Sequence, residues 1–183
     1  MHNIENIIAA ITVAHYLNID DDKIKAAVAN FKGVKRRFEY IIPAAPGKPV
    51  FIDDYAHHPE ELRALITGAK SLFPELKCTI IFQPHLFSRT KDFADGFAEV
   101  LDLADRVILL PVYPARELPI NGVNSEMIAK KMKNRNTMVL TKDELLGEIE
   151  NSKPQLLITA GAGDIDALVN PLKLIVQKNS SLK

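Results

Sequence analysis

Short unbroken apolar runs and longer amphipathic stretches take turns along most of this chain. The runs "CTIIF", "RVILL" and "QLLIT" carry almost no polar residue. A strand with one wet face alternates apolar and polar positions. An unbroken apolar strand is covered on both faces, as in a parallel sheet between two helix layers. The pattern predicts strands at 38–42, 50–54, 77–83, 106–112, 137–140 and 155–160. Helical spacing predicts helices over about 59–73, 89–103, 125–133, 142–150 and 164–177. Strand–helix alternation with right-handed crossovers makes an α/β open sheet.

The first part of the chain has a different texture. Residues 1–17 read as a helix that Asn3 can cap, with Ile7, Ile8, Ile11, Ala14 and His15 near helical spacing. Residues 20–31 read as a second helix, with Ile24, Ala27, Val28 and Phe31 on one face and Asp20, Asp21 and Asp22 favouring its N-terminus. Gly33 stops it. Two such helices are too small to be a domain, so the expectation is a fragment of a larger unit. The loop "PAAPGKP" then separates the first two strands.

Composition narrows the function classes. The 183 residues suffice for one domain, or a domain plus a fragment. Lys plus Arg balance Asp plus Glu at 23 each. That argues against a nucleic-acid or membrane-surface binder working by bulk charge, while leaving room for a local basic pocket. Cys78 is the single cysteine, which excludes an intrachain disulfide and a cysteine-based zinc site and fits a reducing, cytoplasmic compartment. It lies in "CTIIF" and reads as a buried small hydrophobe. No apolar stretch approaches the roughly 20 residues that span a bilayer. The opening "MHNIENIIAAI" lacks the basic start of a signal peptide.

In a parallel sheet, sites form at the carboxyl ends of the strands. The stretches "DDYAHHP", "QPHLFSRT", "YPARE" and "AGAGD" all follow predicted strands, whereas "FPELK" and "DLADR" on the other rim are ordinary joints. In "DDYAHHPE", a helix start explains His58 as cap, Pro59 in the first turn, and Glu60 and Glu61 at the dipole. It leaves Asp53, Asp54, Tyr55 and His57 unexplained. A carboxylate there can hold a ribose hydroxyl pair, and His57 can bind an anion or carry a proton. Metal binding is the weaker reading, because adjacent histidines in a tight turn rarely aim at one centre. Arg89 near a helix start makes either an anion pocket with the helix N–H groups or solvated surface beside a Ser88 cap. Lys35, Arg36 and Arg37 read as a solvated charge run. Tyr113 and Glu117 are pocket-lining candidates. "AGAGD" lacks the spacing of a P-loop.

Taken together and in order, "HNIENIIAAI", "FKGVKRRFE", "FIDDYAHHPEEL", "IFQPHLFSRT" and "VYPARE" resemble the C-terminal part of the Mur ligase family. The pairing of "DDYAHHP" with "FQPH-x-x-SRT" is similar to the branch that adds L-alanine. The resemblance implies a Rossmann-like domain over 33–183, with about five parallel strands, one antiparallel edge strand and helices on both faces. It implies that residues 1–32 are the last helices of a central ATPase domain. The implied reaction joins L-alanine to UDP-N-acetylmuramate for peptidoglycan, through an acyl phosphate made with ATP and Mg2+. Asn3 and Asn6 match an ATP-site motif, with Asn3 near the adenine. Arg37 matches an arginine that reaches the ATP phosphates, and Asp54 the aspartate on the ribose. Tyr55, His57 and Arg89 match positions facing the amino acid and acyl substrate, with catalytic roles for His57 and Arg89. Leu86 stands where many relatives carry a basic residue. The P-loop, the magnesium ligands and the UDP site are implied to lie in N-terminal and central domains outside this sequence, so the chain alone is expected to be inactive. A peptide-recycling ligase of the same family and a non-catalytic nucleotide-binding module are the alternatives.

Overall fold

The computed structural model describes residues 2–31 and 33–181, with side chains described for 4–31 and 33–180. Two compact units divide at residues 34 and 35. The first holds α1 (His2–Tyr16) and α2 (Asp21–Asn30). Asp20 caps α2, its carboxylate accepting from the Asp22 and Lys23 amides at 3.0 and 3.3 Å. Ile24 is the one described residue of α2 that is buried. Ile4, Ile8, Val13, Leu17 and Phe31 are exposed.

The second unit runs β1 (Glu39–Ile42), β2 (Val50–Asp54), α3 (Pro59–Leu72), β3 (Cys78–Phe82), α4 (Phe87–Asp92), α5 (Ala94–Leu101), β4 (Arg106–Leu109), α6 (Ser125–Lys131), β5 (Thr137–Val139), α7 (Lys142–Ser152) and β6 (Leu156–Ala160). A 3-10 turn (Asp164–Leu168) then leads into α8 (Val169–Ser181). The sheet order is β1-β2-β6-β3-β4-β5. β1 pairs antiparallel at the edge, and the other five strands are parallel. This is the expected Rossmann-like sheet.

Strand periodicity sorts the core into two layers. Val50, Ile52, Ile80, Phe82, Val107, Leu109, Leu156 and Ile158 pack with Leu62 and Ile66 of α3, Phe97 and Leu101 of α5, and Ile128 of α6. Phe51, Ile81, Ile108 and Leu157 face the other way, against Leu145 and Ile149 of α7 and Leu172 and Val176 of α8. β2, β3 and β6 are buried along their whole length, which explains the apolar runs in β3 and β6 and leaves the two aspartates that end β2 as buried carboxylates.

Two predicted helices differ in detail. The expected helix over 89–103 starts earlier, at Phe87, and divides at Phe93 into α4 and α5. Phe93 leaves helical geometry at φ −109°, ψ 15° and sets its ring edge-on to His58, 4.6 Å between centroids. Aromatic packing across the two elements takes the place of one continuous helix. The final helix opens as the 3-10 turn and runs on past 177 to Ser181.

Candidate functional site

The ends of four strands lie level. Asp54 and Phe82 both register with Ala160, and Phe82 registers with Leu109. The segments that follow therefore leave the sheet side by side: Tyr55–His58, Gly161–Gly163, Gln83–Arg89 and Leu110–Glu117. Backbone bonds tie these loops together. His85 bridges to Tyr113, Leu86 N donates to Tyr113 O at 2.9 Å, and Tyr113 N donates to Pro84 O at 2.8 Å.

Asp53 and Asp54 end the buried strand β2 and are 1% and 6% exposed. Neighbouring strand residues point to opposite faces, so the two carboxylates meet different partners. Asp53 accepts from Thr159 Oγ1 at 2.5 Å and from Arg36 Nε at 3.2 Å. Burial pushes its pKa up, and the Thr159 hydroxyl and Arg36 charge oppose that only in part. Asp54 accepts from the Ala56 and Phe38 amides at 2.8 and 2.7 Å.

The residues N-terminal to β1 close over this pair. Arg36 and Phe38 take positive φ values of 56° and 52°. Non-glycine residues pay for that conformation with strain, so it needs holding in place. The Arg36 amide donates to Glu39 Oε2 at 2.8 Å and the Arg36 carbonyl accepts from the Tyr55 amide at 2.7 Å. The Arg36 guanidinium also donates to Gly161 O at 2.5 Å and lies 5.1 Å from the Tyr55 ring centroid. Arg37 is exposed and approaches the Tyr55 ring at 5.7 Å.

His57 Nδ1 faces two acceptors, Tyr55 O at 3.0 Å and Glu61 Oε2 at 3.4 Å. Two acceptors assign the neutral ring's proton to Nδ1 and leave Nε2 to accept. Glu61 also takes the His57 and His58 amides at 2.9 and 3.2 Å. His58 is the N-cap of α3, as the sequence suggested, and Glu61 closes the helix start by reaching back to its amide. Burial raises the Glu61 pKa, but those amides and the His57 and Arg37 charges outweigh it and hold the carboxyl below its usual value.

Arg89 lies on α4, one turn after His85, with Nη1 3.4 Å from His85 Nδ1. His85 stacks on Tyr113 at 5.7 Å and meets His57 edge-on at 6.2 Å. Burial, then Arg89 and His57, lower the His85 pKa, which favours the neutral ring that Arg89 requires as acceptor. Ser88 donates both its amide (2.9 Å) and its hydroxyl (2.5 Å) to Glu117, so Glu117 caps this short helix. Leu86 precedes α4 at φ 72°, the least comfortable backbone of this loop for a branched residue.

Tyr55, His57 and Arg89 thus stand on one rim with Arg37 and Asp54. Asn6 is exposed on α1, in the other unit, and the Asn3 side chain lies outside the described residues. Sequence reasoning missed Arg36 and His85. Arg36 looked like part of a charge run, and nothing in its spacing marks the turn it occupies. His85 had one available signal, its four-residue separation from Arg89. Among the described residues no group of three or more His, Cys, Asp or Glu side chains is placed to hold a metal. A cavity of about 660 Å³ opens at the opposite rim, near Pro46, Phe73, Lys153 and Val176, but no carboxylate, histidine or arginine lines it.

A rim with arginines, a histidine and buried carboxylates can hold anionic groups and accept a proton from an amine. Comparison with known proteins gives this chemistry a family. Residues 36–163 match the family described as Mur ligase, glutamate ligase domain. UDP-N-acetylmuramate–L-alanine ligase of Cytophaga hutchinsonii is 47% identical over 97% of this chain, and that of Flavobacterium johnsoniae 46% identical over 97%. The chain spans 38% and 39% of those two relatives. The crystal structure of UDP-N-acetylmuramate-alanine ligase from Thermotoga maritima superposes with TM-score 0.74 and 30% identity, covering 100% of this chain and 39% of that one. A murein peptide ligase from Psychrobacter arcticus shares the fold at TM-score 0.66 and 22% identity, over 96% of this chain and 37% of its own. The chain belongs to the Mur ligase family and carries its glutamate ligase domain.

Proposed function

We propose that this chain is the C-terminal part of an ATP-dependent ligase that joins L-alanine to UDP-N-acetylmuramate in peptidoglycan precursor synthesis. The observation that carries the reading is the shared rim of Tyr55, His57 and Arg89, together with relatives of that name 46–47% identical across nearly the whole chain. The chemistry needs a carboxylate activated as an acyl phosphate and an amine delivered neutral beside it. Charge neutralisation and positioning supply most of the catalysis.

Each residue has a task in this scheme. Arg89 grips the carboxylate of the amino acid, the one strong handle L-alanine offers. His57 presents Nε2 to the amine and can take its proton. Tyr55 lines the acyl side. Asp54 is assigned to the ribose of ATP, and exposed Arg37 reaches the phosphates. Asn3 and Asn6 belong to the adenine end. The residues present fit ATP through these anion- and hydroxyl-binding groups. The family resemblance places the Mg2+ ligands in the central domain, outside this chain.

Residues 1–32 are read as the last helices of a central ATPase domain. The apolar side chains of Ile4, Ile8 and Leu17, 57–63% exposed here, are suited to cover by such a domain. No helix among the described residues is long and apolar enough to cross a membrane. The soluble substrates and single cysteine favour the cytoplasm. The test follows labelled oxygen. With the full-length protein, UDP-N-acetylmuramate carrying 18O in its carboxylate should yield labelled phosphate as the L-alanine amide forms. Unlabelled phosphate accompanying amide would rule the acyl phosphate out.

A further inference from the structure

Arg36 makes more connections across the carboxyl rim than its place in a run of basic residues suggests. Its guanidinium bonds Asp53 at 3.2 Å on β2 and the Gly161 carbonyl at 2.5 Å beyond β6. The same group lies 5.1 Å from the Tyr55 ring centroid. Its backbone carbonyl takes the Tyr55 amide at 2.7 Å, and its own amide is held by Glu39 at 2.8 Å. Positive φ at Arg36 permits this doubled-back path. One residue therefore ties the entry to β1, through its backbone, to the strand β2, the loop after it and the loop after β6, through its guanidinium.

We propose that Arg36 is a positioning residue: it clamps the Asp54–His57 loop to the Gly161–Gly163 loop and fixes the Tyr55 ring for the acyl and amino-acid substrates. The inference rests on the functional reading above for the identity of those substrates, but not for the clamp. Arg36 itself contacts neither. The geometry suits arginine because one planar fork serves a carboxylate, a carbonyl and an aromatic face together. A lysine ammonium reaches one or two of these, not all three. Asp53 is the anchor. It is buried, already engaged by Thr159, and carries the counter-charge that keeps the guanidinium in place.

The clamp also reaches the third loop. Gly163 lies so close to Tyr113 that a β-carbon there would sit 2.6 Å from Tyr113 Cγ. Tyr113 in turn stacks on His85, the neighbour of Arg89. A shift of the Gly161–Gly163 loop would be passed to the residue that grips the amino acid.

The experiment uses full-length protein with Arg36→Met, Arg36→Lys and the double change Arg36→Met/Asp53→Asn. Removing Arg36 alone leaves Asp53 buried without its counter-charge, and that lowers stability whatever else Arg36 does. The Asp53→Asn change removes that charge, so the double variant should regain most of the lost melting temperature. Arg36→Met should raise KM for L-alanine roughly tenfold or more, with KM for ATP within about threefold of wild type. It should also speed amide hydrogen exchange at Tyr55 and Gly161 while leaving the centres of β3 and β6 protected. Arg36→Lys should fall between. In the double variant the KM defect and the fast exchange persist despite restored stability. If restoring stability restores both, or if Arg36→Met moves neither, the clamp is wrong. Wild-type protein that fails to ligate L-alanine would instead overturn the functional reading, and the exchange data would still decide the clamp.

Discussion

Gly163 and Tyr113 are in such close contact that a β-carbon on Gly163 would lie 2.6 Å from Tyr113 Cγ and 2.5 Å from Gln83 Oε1. Both neighbours are constrained. Gln83 is 2% exposed and donates to Asp164 at 2.9 Å, and the Tyr113 ring stacks on His85. A methyl group therefore cannot be absorbed by a flexible side-chain end. Gly163→Ala should destabilise the protein by about 1–3 kcal/mol, the usual cost of overpacking. Because Tyr113 must move, His85 loses its stack. Thermal unfolding and the His85 ring signals in NMR check this, and an unshifted His85 would mean that the glycine is replaceable.

Arg89→Lys keeps a charge but loses the two-pronged guanidinium. In full-length protein it should raise KM for L-alanine at least about tenfold, or roughly 1.4 kcal/mol. KM for ATP should hardly change. Steady-state kinetics varying each substrate in turn separate the two. Normal L-alanine affinity with weakened ATP would move Arg89 to the nucleotide site.

His85 titrates below the ordinary histidine value of 6.5, first through burial and then through the Arg89 and His57 charges. Its neutral form is the one stabilised by folding. That stabilisation is present above pH 6.5 and is lost as pH falls through the lower folded value. Replacing Arg89 by glutamine removes one repelling charge, so the His85 midpoint should rise toward 6.5. An NMR titration that shows no rise would contradict the contact.

Glu61 is held below its ordinary value of 4.5 because the His57 and His58 amides, with the His57 and Arg37 charges, outweigh its burial. The sign is that of a depressed carboxylate: its contribution is complete above pH 4.5 and disappears as pH falls through the lower folded value. Its side chain is 38% exposed, so screening keeps the contribution modest. Glu61→Gln should cost about 1 kcal/mol at pH 7, and the difference from wild type should shrink in acid. Denaturant unfolding across that range measures it. A constant difference at all pH values would show that the charge of Glu61 is irrelevant.

The sheet was legible in the sequence because β3 and β6 are buried on both faces, and burial leaves apolar runs that periodicity detects. Helix ends were less legible. The break at Phe93 depends on the His58 ring, which is distant in sequence, and the α3 cap depends on Glu61 folding back to two amides. The rim residues Tyr55, His57, Arg37, Asp54 and Arg89 were found from motif order. Their support was not. Arg36 and Arg37 are adjacent and chemically identical, yet one is tied to Asp53 and Gly161 and the other is exposed. That difference comes from a positive φ at Arg36, which sequence spacing does not encode.

The most direct test of the account is a competition assay on the full-length protein with ATP, Mg2+ and UDP-N-acetylmuramate. L-alanine, D-glutamate, glycine and an L-alanine-containing tripeptide are offered together, and the amide products are separated by mass. UDP-N-acetylmuramoyl-L-alanine is expected as the dominant product, formed with one ADP per amide bond. Dominant capture of the tripeptide, or ATP turnover without any amide, would contradict it.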